Sequence, residues 1–181
     1  LLSEPGTTWS YANTNYVLLG MIVEAATGQE WDEAVEDRFI GPLGLAQTHA
    51  PGPGDGWTDT VPAYVSTTDA TATVHPSAVG ASGAMESSAV DLLVWGEAMM
   101  GGALHSAETR AEMLADPVVV VADTVWVGLG VYQWDEAYAG EDPEIWHNGA
   151  LNGYSAWLGH RVEAGATVVV LANNWPRRDD G

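Results

Sequence analysis

The 181 residues contain no lysine and no cysteine. Without cysteine there are no disulfides, no thiolate catalysis and no Cys-based zinc or iron–sulfur site. Without lysine, five arginines face 25 acidic side chains, giving a formal charge of −20. Charged residues make up only 17%, so the imbalance reflects missing bases rather than surplus acids. Nucleic-acid binding needs clustered cations, and the only adjacent basic pair is Arg177-Arg178, which argues against it. Anionic membrane surfaces are disfavoured for the same reason. No apolar run approaches the roughly eighteen residues of a membrane span, and no basic stretch followed by an apolar run opens the chain.

What is present is enough for a packed core. Apolar residues make up 46%, with nine tryptophans among them. Leu18, Met21, Ile22 and Ala25 recur at helical spacing after an N-cap at Asn13 or Thr14, and Gly28 is placed to stop that helix. A second helix is predicted over about 32–39, ended by Gly41-Pro42-Leu43-Gly44, and a long ordered loop over 48–84. Ser88 with Asp91 resembles a capping box for a helix running to Met100, and Ser106 caps another over 107–114. Beyond Pro117, the segments 118–121, 126–134, 154–161 and 167–172 read as strands. Helices first and strands afterwards predict an α+β fold, an antiparallel sheet packed by helices. One partial domain is expected over 1–181, with 1–116 mainly helix and loop and 117–181 the C-terminal strands. The apolar strand Val168-Val169-Val170-Leu171 lies close to the C-terminus with no covering helix after it, so the sheet reads as unfinished.

Two short stretches carry chemistry. Tyr11-Ala12-Asn13 sits at a loop-to-helix junction, and His147-Asn148-Gly149 sits between two expected strands. A phenol and an imidazole both transfer protons, and an asparagine amide holds polar substrates. Other candidates fail on spacing. Ser82 is not in a Gly-x-Ser-x-Gly elbow. His49, His75, His105 and His160 are too scattered for a metal site. Glu136, Glu141, Asp142 and Glu144 lack the EF-hand order of ligands. No cofactor is expected. Trp95, Trp126, Trp134 and Trp157 fall on predicted regular elements and read as core or cleft wall.

Taken together, Trp9-Ser10-Tyr11-Ala12-Asn13-Thr14-Asn15-Tyr16, Pro42-Leu43-Gly44-Leu45, Gly128-Leu129-Gly130-Val131 and Trp146-His147-Asn148-Gly149 resemble the serine β-lactamase and D-alanyl-D-alanine carboxypeptidase superfamily. The Tyr-x-Asn form is that of the class C branch and its peptidase and esterase relatives. The resemblance runs through the whole chain in order, and implies a β-lactamase/transpeptidase-like fold incomplete at both ends. It makes Tyr11 the phenol that exchanges a proton with nucleophile and leaving group, and His147 its neighbour, tuning it electrostatically. Asn13 would bind the substrate's amide side chain or help organise the nucleophile's neighbours, Asn148 and Gly149 would line the cleft edge, and the Ala150 N–H would be one of two oxyanion donors.

The superfamily's nucleophile lies in Ser-x-x-Lys, which a chain without lysine cannot contain. Only ten residues precede Tyr11, where that motif would lie. The expectation is a piece of a longer serine hydrolase, inactive alone and partnered by an N-terminal segment of the same protein; a pseudoenzyme is the other reading. His147, where β-lactamases of this branch usually carry lysine, points to peptidases and esterases acting on a small molecule or peptidoglycan peptide, with β-lactamase activity possible. The rival is a non-catalytic binding or cell-wall-sensing module. The resemblance implies a periplasmic, extracellular or cell-surface location.

Overall fold

The computed structural model describes residues 3–4, 7–58, 60–71, 73–115, 118–121, 124–134 and 142–175. Pro5-Gly6, Pro117, Glu136, Glu141 and Arg177-Arg178 lie outside them. The chain divides into two compact units. One comprises Leu1–Ala12, Gly96–His147 and Leu158–Val168; the other comprises Asn13–Trp95, Asn148–Trp157 and Val169–Gly181.

In the second unit, helix α1 spans Asn13–Thr27 and ends at Gly28, whose φ of +73° suits a C′ glycine. Asn13 is thus the first helical residue rather than a residue ahead of the helix. The apolar face predicted from periodicity is not covered by the described residues. Leu18, Met21 and Ile22 are exposed, and Gly20 is the buried position of the helix. The cause is that α1 packs through Gly20, where an added Cβ would lie 3.8 Å from Trp31 and 2.6 Å from the Ala81 Cβ.

The expected second helix is longer than its sequence signals. Helix α2 (Trp31–Val35) passes through a π-helical turn (Glu36–Ile40) into α3 (Gly41–Leu43), so Gly41-Pro42 continues it and Gly44, at φ +65°, ends it. Proline fits because it occupies the opening positions of α3, where an intrahelical N–H bond is not required. Ile40, Leu45 and Ala50 form a buried cluster with Trp31, Val35 and Leu43 against it.

The 48–84 segment is mostly loop, but it holds strands β1 (Tyr64–Val65) and β2 (Thr68–Asp69) and two 3-10 turns, Pro76–Ala78 and Gly80–Ser82. Ser82 lies in the second turn, its hydroxyl donating to the Val79 carbonyl at 2.6 Å. Helix α4 spans Ala89–Met100, and Ser88 caps it by accepting the Asp91 N–H at 3.2 Å. The reciprocal half of the capping box does not form. Asp91 Oδ2 instead accepts from the Gln47 N–H at 2.7 Å and the Thr48 hydroxyl at 2.8 Å, tying the helix start to a remote turn.

In the first unit, α5 (Ala107–Leu114) is capped by Ser106 as expected. Strand β3 (Val118–Val121) pairs antiparallel with β4 (Val125–Val127), β4 with β5 (Tyr132–Trp134), and β5 with β6 (Glu144–Leu151). The single strand expected over 126–134 is therefore a hairpin. Its turn docks on α5, with the Leu129 N–H on the Met113 carbonyl at 2.8 Å and Gly128 so close that a Cβ there would collide with that oxygen. Met100, Val131 and Ile145 form the cluster beneath, with Met99, Met113 and Leu114 packed on it.

The sheet order is β3-β4-β5-β6-β7-β8, with β7 spanning Tyr154–Arg161 and β8 Ala166–Ala172. Strand β8 stands at one edge, and Val168, Val170 and Leu171 on it are exposed. A short β9 (Asn174–Trp175) pairs parallel with β1. Trp95, Trp126, Trp134 and Trp157 lie on α4, β4, β5 and β7, each partly buried.

Candidate active site

The segment ahead of α1 carries Trp9 and Tyr11, and strand β6 carries Trp146 and His147, all within the first unit. Tyr132 on β5 meets the rings of both Trp146 and His147, neighbours on β6. The Tyr11 and His147 ring centroids lie 6.4 Å apart at 51°. Tyr11 is 44% exposed, so its phenol is accessible. His147 therefore sits inside a strand, not between two, and the backbone pairing of β5 with β6 sets its position.

Tyr132, not among the candidates named from the sequence, occupies the middle of this cluster. Its ring stacks on Trp146 at 4.7 Å and 22°, tilts against His147 at 5.3 Å, and meets Trp9 edge-on at 6.3 Å. Burial, and secondarily Tyr11, pushes the Tyr132 phenol above its ordinary value. The available signal was its place just after the Gly128–Gly130 turn, which became readable only once that turn was known.

The remaining candidates belong to the second unit. Asn13 opens α1 and is exposed; Asn148, Gly149 and Ala150 continue β6 beyond His147 and are exposed. Gly149 is not demanded by the fold. A Cβ there would find only the Ala156 Cβ, at an ordinary 3.8 Å.

Arg161, a cation on the sheet, is paired with Asp142. Its Nε lies 2.9 Å from Asp142 Oδ2 and its guanidinium also donates to the Asp142 carbonyl. Partial burial would raise the Asp142 carboxyl, but the Glu163 N–H and Arg161 together hold it below the usual range. Among the described residues there is no cluster of three metal-ligating side chains, and no described helix is long and apolar enough to cross a membrane.

An α+β chain with an antiparallel sheet, a tyrosine leading into a Tyr-x-Asn helix and a His-x-Gly strand has the architecture of the β-lactamase/transpeptidase fold. The chain belongs to the beta-lactamase family, whose model matches residues 1–181. A stretch of 44 residues, 24% of the chain, is 54% identical to 12% of penicillin-binding protein 4 of Amycolatopsis lactamdurans. Among solved structures, a D-stereospecific amidohydrolase from Streptomyces sp. aligns at 32% identity and TM-score 0.83, over 94% of this chain and 52% of its own. The D-amino acid amidase from Ochrobactrum anthropi SV3, in complex with D-phenylalanine, aligns at 23% identity and TM-score 0.86, over 99% of this chain and 55% of its own. At that identity the second likeness is one of fold. The chain spans about half the length of these solved relatives.

Proposed function

We propose that these residues supply the Tyr–His part of a serine hydrolase that works through an acyl-enzyme, of the D-Ala-D-Ala carboxypeptidase or esterase type, with β-lactam hydrolysis secondary. The observation that carries the reading is the placement of the Tyr11 phenol beside the His147 imidazole. The likeness to a D-stereospecific amidohydrolase adds D-configured amides to the substrate classes worth assaying.

In this reading the nucleophilic serine and its lysine come from a segment of the same protein outside these residues, because 181 residues without lysine hold no Ser-x-x-Lys. The open apolar face of α1 supports such a segment, since exposed Leu18, Met21 and Ile22 favour burial. The serine oxygen attacks the substrate carbonyl while its proton passes to Tyr11. Tyr11 returns that proton to the departing amine or alcohol as the carbonyl–leaving-group bond breaks. Water then attacks the acyl-serine, giving one proton through Tyr11 back to the serine oxygen, and the acid is released. His147 stabilises negative charge on the phenol oxygen electrostatically. The Ala150 N–H and the nucleophile's own N–H stabilise the tetrahedral oxyanion, and Asn13 and Asn148 orient the substrate. Gly149 fits this role: neither its neighbours nor its backbone exclude a side chain, so the space over it is left for substrate. The enzyme would act outside the cytoplasmic membrane or at the cell surface.

The test is to assay the intact protein with a p-nitrophenyl ester, a D-Ala-D-Ala peptide, a D-amino acid amide and a chromogenic cephalosporin, and to trap the acyl-enzyme by mass spectrometry. Ester, peptide or amide turnover with an acyl adduct is expected. Rapid cephalosporin turnover with none of the other three overturns the ranking. No turnover and no adduct assigns the chain to a non-catalytic module.

A further inference from the structure

We infer that Tyr132 is the positioning residue of the Tyr11–His147 pair, its ring wedged so that the imidazole is held facing the phenol. The inference rests on the acyl-transfer reading of that pair. The β5–β6 register sets Tyr132 directly opposite Trp146, the residue before His147. Trp146 stacks with Tyr132 at 4.7 Å and also with Trp134, two residues along β5, at 5.1 Å and 24°. That stack anchors the Tyr132 ring. From this anchored position it contacts the His147 ring at 5.3 Å and receives the edge of Trp9, two residues ahead of Tyr11, at 6.3 Å. One ring therefore touches one member of the pair directly and the chain segment that delivers the other.

The contribution is a ring position, not a proton. With burial as the larger cause and Tyr11 the smaller, the Tyr132 phenol is harder to ionise than an ordinary tyrosine, so it stays neutral where the pair works. Offset and tilted aromatic contacts hold a ring more firmly than aliphatic packing does, because the positive edge of one ring meets the negative face of the next. A catalytic group displaced by a fraction of an ångström loses rate rather than substrate affinity.

The experiment has a structural arm and a kinetic arm, both on the intact protein. In the wild type, a nuclear Overhauser cross-peak between the Tyr132 and His147 ring protons is expected, and its absence overturns the inference. Tyr132→Leu should remove the ring-current displacement of the His147 ring protons and lower kcat about ten- to a hundredfold, with KM moving less than about threefold. Tyr132→Phe should keep the His147 resonances and hold kcat within about twofold of wild type. Unchanged His147 resonances and kcat in Tyr132→Leu refute the positioning role, as does a Tyr132→Phe variant as slow as Tyr132→Leu. If the intact protein hydrolyses none of the four substrates, the functional reading fails, while the cross-peak and the His147 shifts still decide where Tyr132 holds the imidazole.

Discussion

Removing the Asp91 carboxylate should destabilise the second unit more than any surface substitution of an acid in this chain. Asp91 is only 7% exposed, in a protein where acids outnumber bases 25 to five. Its Oδ2 accepts the Gln47 N–H at 2.7 Å and the Thr48 hydroxyl at 2.8 Å, and it stands in the first turn of α4. In Asp91→Ala the Thr48 hydroxyl keeps its second partner, the Ser87 hydroxyl at 2.8 Å, so only the Gln47 N–H is orphaned. Two hydrogen bonds to a charged acceptor contribute about 1.5–3 kcal/mol each, and a carboxylate at a helix N-terminus about 0.3–1 kcal/mol. With Thr48 partly compensated, the expected loss is about 3–5 kcal/mol. Asp91→Asn keeps an acceptor oxygen but not the charge, and should lose about 1–2 kcal/mol. Urea denaturation at neutral pH measures both. With a slope of about 2 kcal/mol per molar, Asp91→Ala should lower the midpoint by about 2 M at unchanged slope. A loss below about 1 kcal/mol for Asp91→Ala, or equal losses for Ala and Asn, would refute the assignment of this carboxylate as the link between α4 and the 47–48 turn.

Further outcomes are expected from the same structure. Tyr11→Phe in the intact enzyme should cut kcat by about 10²–10⁴ with little change in KM, and a wild-type rate would remove Tyr11 from the chemistry. Gly153→Ala combines a φ of +85° with a Cβ 2.9 Å from both the Ala63 Cβ and the Tyr64 nitrogen, so thermal melting should show a loss of about 2–4 kcal/mol; an unchanged Tm would contradict that crowding. Burial lowers the His160 imidazole from its ordinary 6.5, so the neutral form is favoured on folding and stability should begin to fall as pH drops through 6.5; His160→Gln should flatten that limb of a pH-denaturation curve. Asp142 is held below its ordinary 3.8, so its contribution is present above that pH and lost as pH falls further, and Asp142→Asn should flatten the most acidic limb alone. A formal charge of −20 predicts stability that rises from low to molar salt as self-repulsion is screened, and no rise would show that repulsion among these acids does not limit stability.

The caps of α4 and α5 and the stop of α1 were legible because each signal lay within one turn of chain, whereas Gly41-Pro42 continues the second helix that it was expected to end. Ser88, Ser106 and Gly28 do locally what their types do at helix ends, and α1, α4 and α5 fall where they were expected. Misreadings arose where a distant partner decided the outcome. Asp91 has the spacing of a capping-box residue, but the Gln47 N–H and Thr48 hydroxyl take its carboxylate. Residues 126–134 have the composition of one strand, but Gly128 seats against the Met113 carbonyl and folds them into a hairpin. The two-residue strands β1, β2 and β9 are too short for alternation to register.

At the proposed site, Tyr11 and His147 were nameable from the resemblance of the motifs around them, in their order along the chain, to those of the family. Tyr132 was not, because its contacts with Trp146 and His147 depend on the β5–β6 register rather than on any local pattern. The sequence by itself determined which chemical groups this chain contains, including the absence of lysine, and where α4 and α5 start and α1 stops. Only the tertiary structure decided which rings meet, which carboxylate is buried and which arginine is already paired. The physical reason is range: a cap closes between residues three apart, whereas a ring stack or the Arg161–Asp142 ion pair forms only after strands and loops far apart in the chain have closed on one another.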